Sequence, residues 1–458
     1  MIITTFKTKG AINMKKRKQM LAILLAGTMT VSLAACGGNG NSDTKNNDSS
    51  SDEKVTLNVL FNNTDENVEA EMAYVTEHLP EVLPNVNVEL DMVSGDAETY
   101  ETKVRTMISA GGEGIDVWWE RGGSWATPIL ESGSALALDE YLDASGYWDK
   151  VIPTAENAKA NDGHMYGVPF EDISYEVILY NKAIFAEHGL EVPSTVSELY
   201  DIVETLSATD VVPISVGAGD GWPAAMMVEG FAYSVDPEST EKVVKGEGAF
   251  SDDAYTQAAG VVKKLMDMGA FSDNVALTGI DEALPLFESG GAAMMVNGSW
   301  AVASGAEKMG DDFGYFYFPV INDADVDSYG KNVAGGVKQN SGMMVYAGTE
   351  HPDEAAALCE AIAELRCQYV YETKGSPFTV YKAEEMGWSY DGEFADPVAQ
   401  LAADMQSFEY SYGLVQDVMP TAAASSGIMQ ATSKFMTNDA SYTIDNYLAD
   451  MDKAAKEE

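Results

Sequence analysis

The chain has 458 residues and a formal net charge of −46, from 27 Lys and Arg against 73 Asp and Glu. So acidic a surface repels phosphate backbones, which excludes nucleic acid as a partner; its commonest consequence is solubility. Composition is globular, with 46% hydrophobic residues, and the length exceeds the ~250–300 residues at which one core stops growing, so two lobes are expected.

The N-terminal MIITTFKTKGAIN reads as an upstream start. It is followed by the basic MKKRK (14–18) and an apolar run from Met20 to Ala35. A basic patch, a short apolar run and small residues form the pattern of a secretory signal, so residues 1–35 are read as one. Once its Gly, Thr and Ser are discounted, the run falls well short of the ~20 apolar residues of a spanning helix. Cys36 follows at once, in LAAC. The stretch GGNGNSDTKNNDSSSDEK behind it holds no apolar residue, so residues 36–54 form a flexible tether.

Folded sequence starts at VTLNVLF (55–61), a strand. Val68, Met72, Val75 and Leu79 then give a helical stripe, and NVNVELDMV alternates with Val86, Val88, Leu90 and Met92 on one face. Tyr100, Val104 and Met107 mark another helix, and IDVWW (115–119) another buried strand. This βαβαβ order predicts parallel α/β structure with ligands at the carboxyl ends of strands, here Asn62-Asn63 and Trp118-Trp119-Glu120. A second α/β region opens with the strand VILYN and a helix. A Thr195/Glu198 capping box then precedes a helix, VVPISVG is a strand, and DDAYTQAAGVVKKLMDMG is a helix stopped by Gly269 at its C-terminal end. AAMMVNGSW reads as a strand buried on both faces that delivers Trp300 at its carboxyl end.

Cys359 and Cys367 lie eight residues apart in one predicted helix, ~12 Å at ~1.5 Å per residue, too far for a disulfide. The four His are scattered, so no metal site is expected, and no cofactor motif is present.

LAAC is similar to the lipobox of bacterial lipoproteins, in which the Cys receives a diacylglyceryl group. Further on, DGHMYGVPF (162–170), VILYNKAIFAEHGLEVPSTVSEL (177–199), FESGGAAMMVNGSWAV (287–302) and VAGGVKQNSGMMV (333–345) resemble the signatures of the family 1 extracellular solute-binding proteins. These are the maltose-binding-protein-like receptors of ABC importers. The resemblance runs from residue 36 to about 440. It implies a periplasmic-binding-protein-like fold of two α/β lobes with the ligand in a cleft between them and three crossing segments. The first lobe takes 55–170 plus 337–375, and the second 171–336 plus 376–458. Crossings fall near Phe170–Ile173, Gly335–Val337 and Gly375–Thr379. It further implies a carbohydrate ligand, ABC permease subunits as partners, a lipid anchor at Cys36 on the outer face of the cell membrane, and a monomer that is not an enzyme.

Sugar pockets need flat aromatic faces for the C–H face of a pyranose and polar groups for its hydroxyls. Alternation sends Trp118 and Trp119 to opposite faces, and Trp119 is taken as the cleft residue. Trp222, in the Gly-rich GAGDGWP, is a lid or a local plug. Trp300 resembles the family's stacking tryptophan most closely. Asn62 and Asn63 bind ligand or cap the next helix. Glu120 binds hydroxyls or merely pairs with Arg121. Glu171, like Asp172, is either a ligand contact or solvated hinge charge. Gly335 and Gly336 admit ligand to the backbone or serve the hinge. Tyr412 and Asp417, in EYSYGLVQDVMP, are weaker candidates.

Three other readings stay open. A secreted glycoside hydrolase needs two carboxylates flanking the bond, and a surface adhesin would bind polymers without closing its lobes. A receptor for a polyamine-type cation would suit the acidic surface.

Overall fold

The computed structural model describes residues 54–456, apart from 64–65, 95–96, 161, 171–172, 337–338, 406, 409 and 420. The leader, Cys36, Glu171 and Asp172 therefore lie outside the described residues.

Alternation along β1 (Val55–Asn63) sends Leu57, Val59 and Phe61 to one side and Leu60 to the other. The first set packs under the helices Glu66–Val82 and Pro352–Tyr369, and Leu60 packs with Tyr100, Val104 and Ile108 of the helix Ala97–Ser109. Each such side chain contributes about 1.5–3 kcal/mol when fully buried. β1 runs parallel to β2 (Val86–Ser94) and β3 (Val117–Glu120). In β2 the expected face is half-buried or buried while the intervening residues up to Asp91 are exposed, as suits an edge strand.

The first sheet is completed by β10 (Gly342–Val345), which lies antiparallel between β3 and β4 (Gly167–Val168). The sheet is thus mixed where a parallel one is expected. The antiparallel member is the strand that re-enters from the second lobe, so its direction comes from the crossing rather than from a βαβ unit.

The second sheet contains β5 (Ser174–Asn181), β6 (Val212–Ser215), β7 (Ala292–Gly298), β8 (Phe313–Phe316), β9 (Asn332–Gly336) and β11 (Tyr410–Tyr412), in the order β11-β9-β5-β7-β6 with β8 also on β5. Ile178, Met294 and Val296 face the helices Trp222–Tyr233, Asp253–Asp267 and Ala422–Phe435. Val177, Leu179 and Met295 face the other way. The Thr195 hydroxyl accepts from Glu198 N at 3.2 Å, and Thr195 N donates to the Glu198 carboxylate at 3.1 Å, forming the expected capping box. Cys359 and Cys367 are buried and form no disulfide, as expected of their spacing.

The first two crossings run side by side. β4 leads to β5 through 169–173, β9 leads back to β10 through 337–341, and β5 and β9 pair at Ser174–Gly336 and Tyr175–Gly335. Gly335 is at φ +102, and a Cβ there would sit 2.0 Å from the Ser174 carbonyl oxygen, so the close strand contact requires glycine. The third passage differs from the sequence expectation. Residues beyond Gly375 stay on the first lobe: Ile152 N donates to the Val380 carbonyl, Val151 bridges Tyr381, and Tyr381 packs on Tyr147 and Trp388. This aromatic cluster holds the chain until the helix Asp396–Asp404, which packs beside β8 and the helix Val302–Met309 of the second lobe.

Candidate functional site

On the first lobe, β3 places its two tryptophans on opposite faces. Trp118 is fully buried, whereas Trp119 is half-buried, with its ring centroid 6.0 Å from Phe61 and 5.6 Å from Tyr100. Tyr100 donates to the Trp119 carbonyl at 2.7 Å and fixes the strand end. The Trp119 indole N–H is buried without a hydrogen-bond partner among the described residues. Phe61 also lies 5.6 Å from Phe170 of the first crossing, so the aromatic run ends at the hinge.

Glu120 follows the face of Trp118, not that of Trp119. It is buried, accepts from the Trp118 indole N–H at 3.2 Å and from Gly122 N at 3.4 Å, and burial pushes its carboxyl up to about 7. Arg121 pairs with Glu101 at 3.0 Å and lies over the Trp125 ring at 4.0 Å, so the expected Glu120–Arg121 partnership is replaced. Asn62 is buried and donates to the Val93 carbonyl at 3.2 Å, tying β1 to β2. Asn63 donates through its side-chain amide to the Glu69 carboxylate of the next helix at 2.8 Å, a side-chain tie rather than the backbone cap considered for it.

On the second lobe, the structure brings together two residues far apart in sequence. Trp222 opens its helix after Gly221 (φ +81), and Trp300 follows β7 in a short turn, Ser299–Ala301. Their ring centroids are 6.0 Å apart with planes inclined at 56°. Of the seven tryptophans only Trp300 is exposed, at 45%. Its six-membered ring occupies the space a side chain at 298 would fill, with Cζ3 2.1 Å from where that Cβ would stand. Gly298 therefore makes room for the indole.

Asp417 is half-buried in the short helix Val415–Val418. Its carbonyl oxygen lies 2.3 Å from the Cβ position of Gly123, so the loop after β3 touches the second lobe here. Beside Asp417 are two buried acids that sequence reading passed over. Glu229 accepts from the Tyr233 hydroxyl at 2.6 Å, Thr240 at 3.1 Å and Val415 N at 2.8 Å, thereby holding the Asp417 segment; burial pushes its carboxyl up to about 7. Glu176, on β5, is 1% exposed, and neither carboxylate oxygen has a hydrogen-bond partner among the described residues. Burial, then the charges of Glu229 and Asp417, hold its carboxyl well above the usual range. A lone acid inside each of the apolar runs SYEVILYN and WPAAMMVEGFAY was the available signal. Gly335 and Gly336 belong to the paired crossing strands. Among the described residues no group of acids, His or Cys is arranged to hold a metal, and no helix is long and apolar enough to cross a membrane.

Two lobes of α/β structure joined by paired crossing strands, with an exposed tryptophan backed by a second on one of them, define a two-lobed solute receptor. The chain belongs to the family of bacterial extracellular solute-binding proteins, whose profile matches residues 66–364. Membership of an extracellular family puts the folded chain outside the cytoplasm. It is 25% identical over 291 residues to an uncharacterised ABC transporter extracellular-binding protein of Pyrococcus horikoshii; that match covers 62% of this chain but only 65% of that protein, less than two thirds of its length. A multiple sugar-binding protein of Streptococcus mutans is 24% identical over 395 residues, 81% of this chain and 85% of that one. In fold, the chain is similar to a probable secreted solute-binding lipoprotein of Streptomyces coelicolor, with a TM-score of 0.70 at 17% identity, covering 88% of this chain and 99% of that one.

Proposed function

We propose that the protein captures a carbohydrate between its lobes and delivers it to the membrane subunits of an ABC importer, acting as a lipid-anchored monomer held by Cys36 and catalysing no reaction. The observation that carries this reading is the Trp222–Trp300 pair, with a 45% exposed indole. An exposed indole sheds its hydration cost when it covers the apolar face of a pyranose, and the tilted Trp222 ring beside it braces that indole in place. The sugar-binding relative from S. mutans agrees with it. Trp222, Trp300 and Asp417 supply the second-lobe contacts. Trp119, with its unpartnered N–H, supplies that of the first, Asn62 being buried and held by the Val93 carbonyl, and Gly335 and Gly336 let the strands at the hinge turn on closure. Glu171 stands at the first crossing in this scheme as a hydroxyl acceptor. Glu120 and Asn63 are left out of the contact set, being held by Trp118, Gly122 and Glu69.

The test is a thermal-shift screen of the purified protein over mono- and oligosaccharides, followed by chromatography of each bound sugar. A ligand at 100 times its dissociation constant should stabilise the fold by about 2.7 kcal/mol. Binding without turnover is the expected result. Hydrolysis of the sugar, or no shift with any sugar, overturns the reading.

A further inference from the structure

We infer that Glu176, with Glu229 and Asp417, forms an anionic subsite beside the Trp222–Trp300 pair that takes a protonated amino group of the ligand. The inference deepens the carbohydrate reading and rests on it, by giving the sugar a free amine rather than hydroxyls alone.

Register places the subsite. Glu176 pairs directly with Gly298 across β5 and β7. Directly opposed residues point to the same face, with Cβ atoms about 4.5–5.5 Å apart. The Trp300 ring fills the Gly298 Cβ position. The Glu176 side chain therefore leaves the sheet alongside that ring, on the side of Ile178 and of the helix carrying Glu229.

The chemistry of the group is incomplete as it stands. Glu229 has its acceptors filled by Tyr233, Thr240 and Val415. Glu176, in the same cluster and almost wholly buried, has neither oxygen filled. An unfilled buried carboxyl is costly, and burial with two neighbouring acids keeps the proton on it; an entering ammonium lets that proton leave to solvent and pairs with the carboxylate formed. An ammonium group answers each deficit: it brings three donors, it neutralises the cluster, and it is attracted to indole faces. A hydroxyl brings one donor and no charge. Of the three acids Asp417 alone is half-buried, and its backbone carbonyl meets the Gly123 loop of the first lobe, so the ligand amine is taken to enter from that side when the lobes separate.

The experiment is calorimetric titration of the purified protein with four probes: glucosamine oligomers, their N-acetylated counterparts, cello-oligosaccharides of the same linkage, and spermidine. The glucosamine oligomer should bind at least about tenfold tighter than the N-acetylated and all-hydroxyl oligomers, a modest value for a buried charge pair. In Glu176→Gln that advantage should vanish while affinity for the cello-oligosaccharide changes less than threefold. Asp417→Asn, at a half-buried position, tests the same cluster if the first variant does not fold, and should reduce the advantage. Equal affinity for amine and hydroxyl oligomers, or an advantage that survives in both variants, overturns the subsite and leaves the carbohydrate reading standing. Tight binding of spermidine lost in Glu176→Gln, with no sugar bound, supports the subsite and overturns the carbohydrate reading instead.

Discussion

Truncating Trp300 to Ala separates packing from recognition at one position. Trp300 is 45% exposed, so about half of the ~250 Å² of a large aromatic is out of water; at ~25 cal/mol per Å² that is ~3 kcal/mol, and ~2 once residual burial in the unfolded chain is allowed for. Trp118, with no exposure, should cost the ~3–5 kcal/mol of a core truncation. A stacking aromatic, by contrast, should cost at least ~2 kcal/mol of binding when removed, which is about thirtyfold in affinity. Denaturant unfolding and calorimetric titration with the sugar found in the screen, on one preparation, measure both quantities. Gly298→Ala provides a control that keeps both rings: the backbone at φ −141° accepts Ala, but the new methyl occupies the place of the indole and should displace it. Affinity should fall in both variants. A Trp300→Ala protein destabilised as much as Trp118→Ala, yet binding normally when folded, would refute the reasoning.

Other parts of the molecule make further demands. Gly123→Ala adds a methyl 2.3 Å from the Asp417 carbonyl at a left-handed φ of +62, so it should cost about 1–2 kcal/mol of stability and also hold the lobes apart, giving weaker binding; unchanged affinity would remove the role given to that contact. Glu120 has a carboxyl raised by burial from 4.5 to about 7, so its protonated form favours folding. That contribution is full below 4.5 and is lost as pH rises through 7, up to ~3 kcal/mol, so Glu120→Gln should gain on wild type between pH 5 and 8, and parallel stability curves would count against it. Cys36→Ser should abolish lipid labelling and release the protein from membranes, since stable anchoring takes two acyl chains; equal labelling would end the lipobox argument. Scattering should show a smaller radius of gyration with saturating sugar, because ligand favours the closed form, and an unchanged radius would favour a preformed pocket.

Local rules were legible where local physics decides. The Thr195/Glu198 box, the alternation of β2 and the separation of Trp118 from Trp119 follow from periods of 3.6 and 2 and from hydrogen bonds that span three residues. The same period also puts Glu120 on the Trp118 face, so its absence from the Trp119 side was readable from the strand alone. The third crossing was not. Gly375 and Pro377 suggest a hinge, but Tyr381 and Trp388 bind the chain to Tyr147, a long-range contact that no local pattern reports. The tryptophan pair is of the same kind, since only the fold brings the turn after β7 to the start of the helix at Trp222.

The buried acids fall between these cases. Each was visible as a charge inside an apolar run, and burial of such a charge is too costly to be incidental. Glu229 is explained inside the protein: three groups donate to it, and one of them, Val415 N, ties down the segment that carries Asp417. Glu176 has no such account, because no donor reaches it among the described residues. Replacing it by Leu would remove the desolvation cost and keep the apolar packing that Ile178 and Val296 already provide on that face. Glu176→Leu should therefore raise stability, as measured by denaturant midpoint, while abolishing preference for an amine-bearing ligand. Loss of stability in Glu176→Leu would show instead that the carboxyl supports the fold, and would return Glu176 to the core.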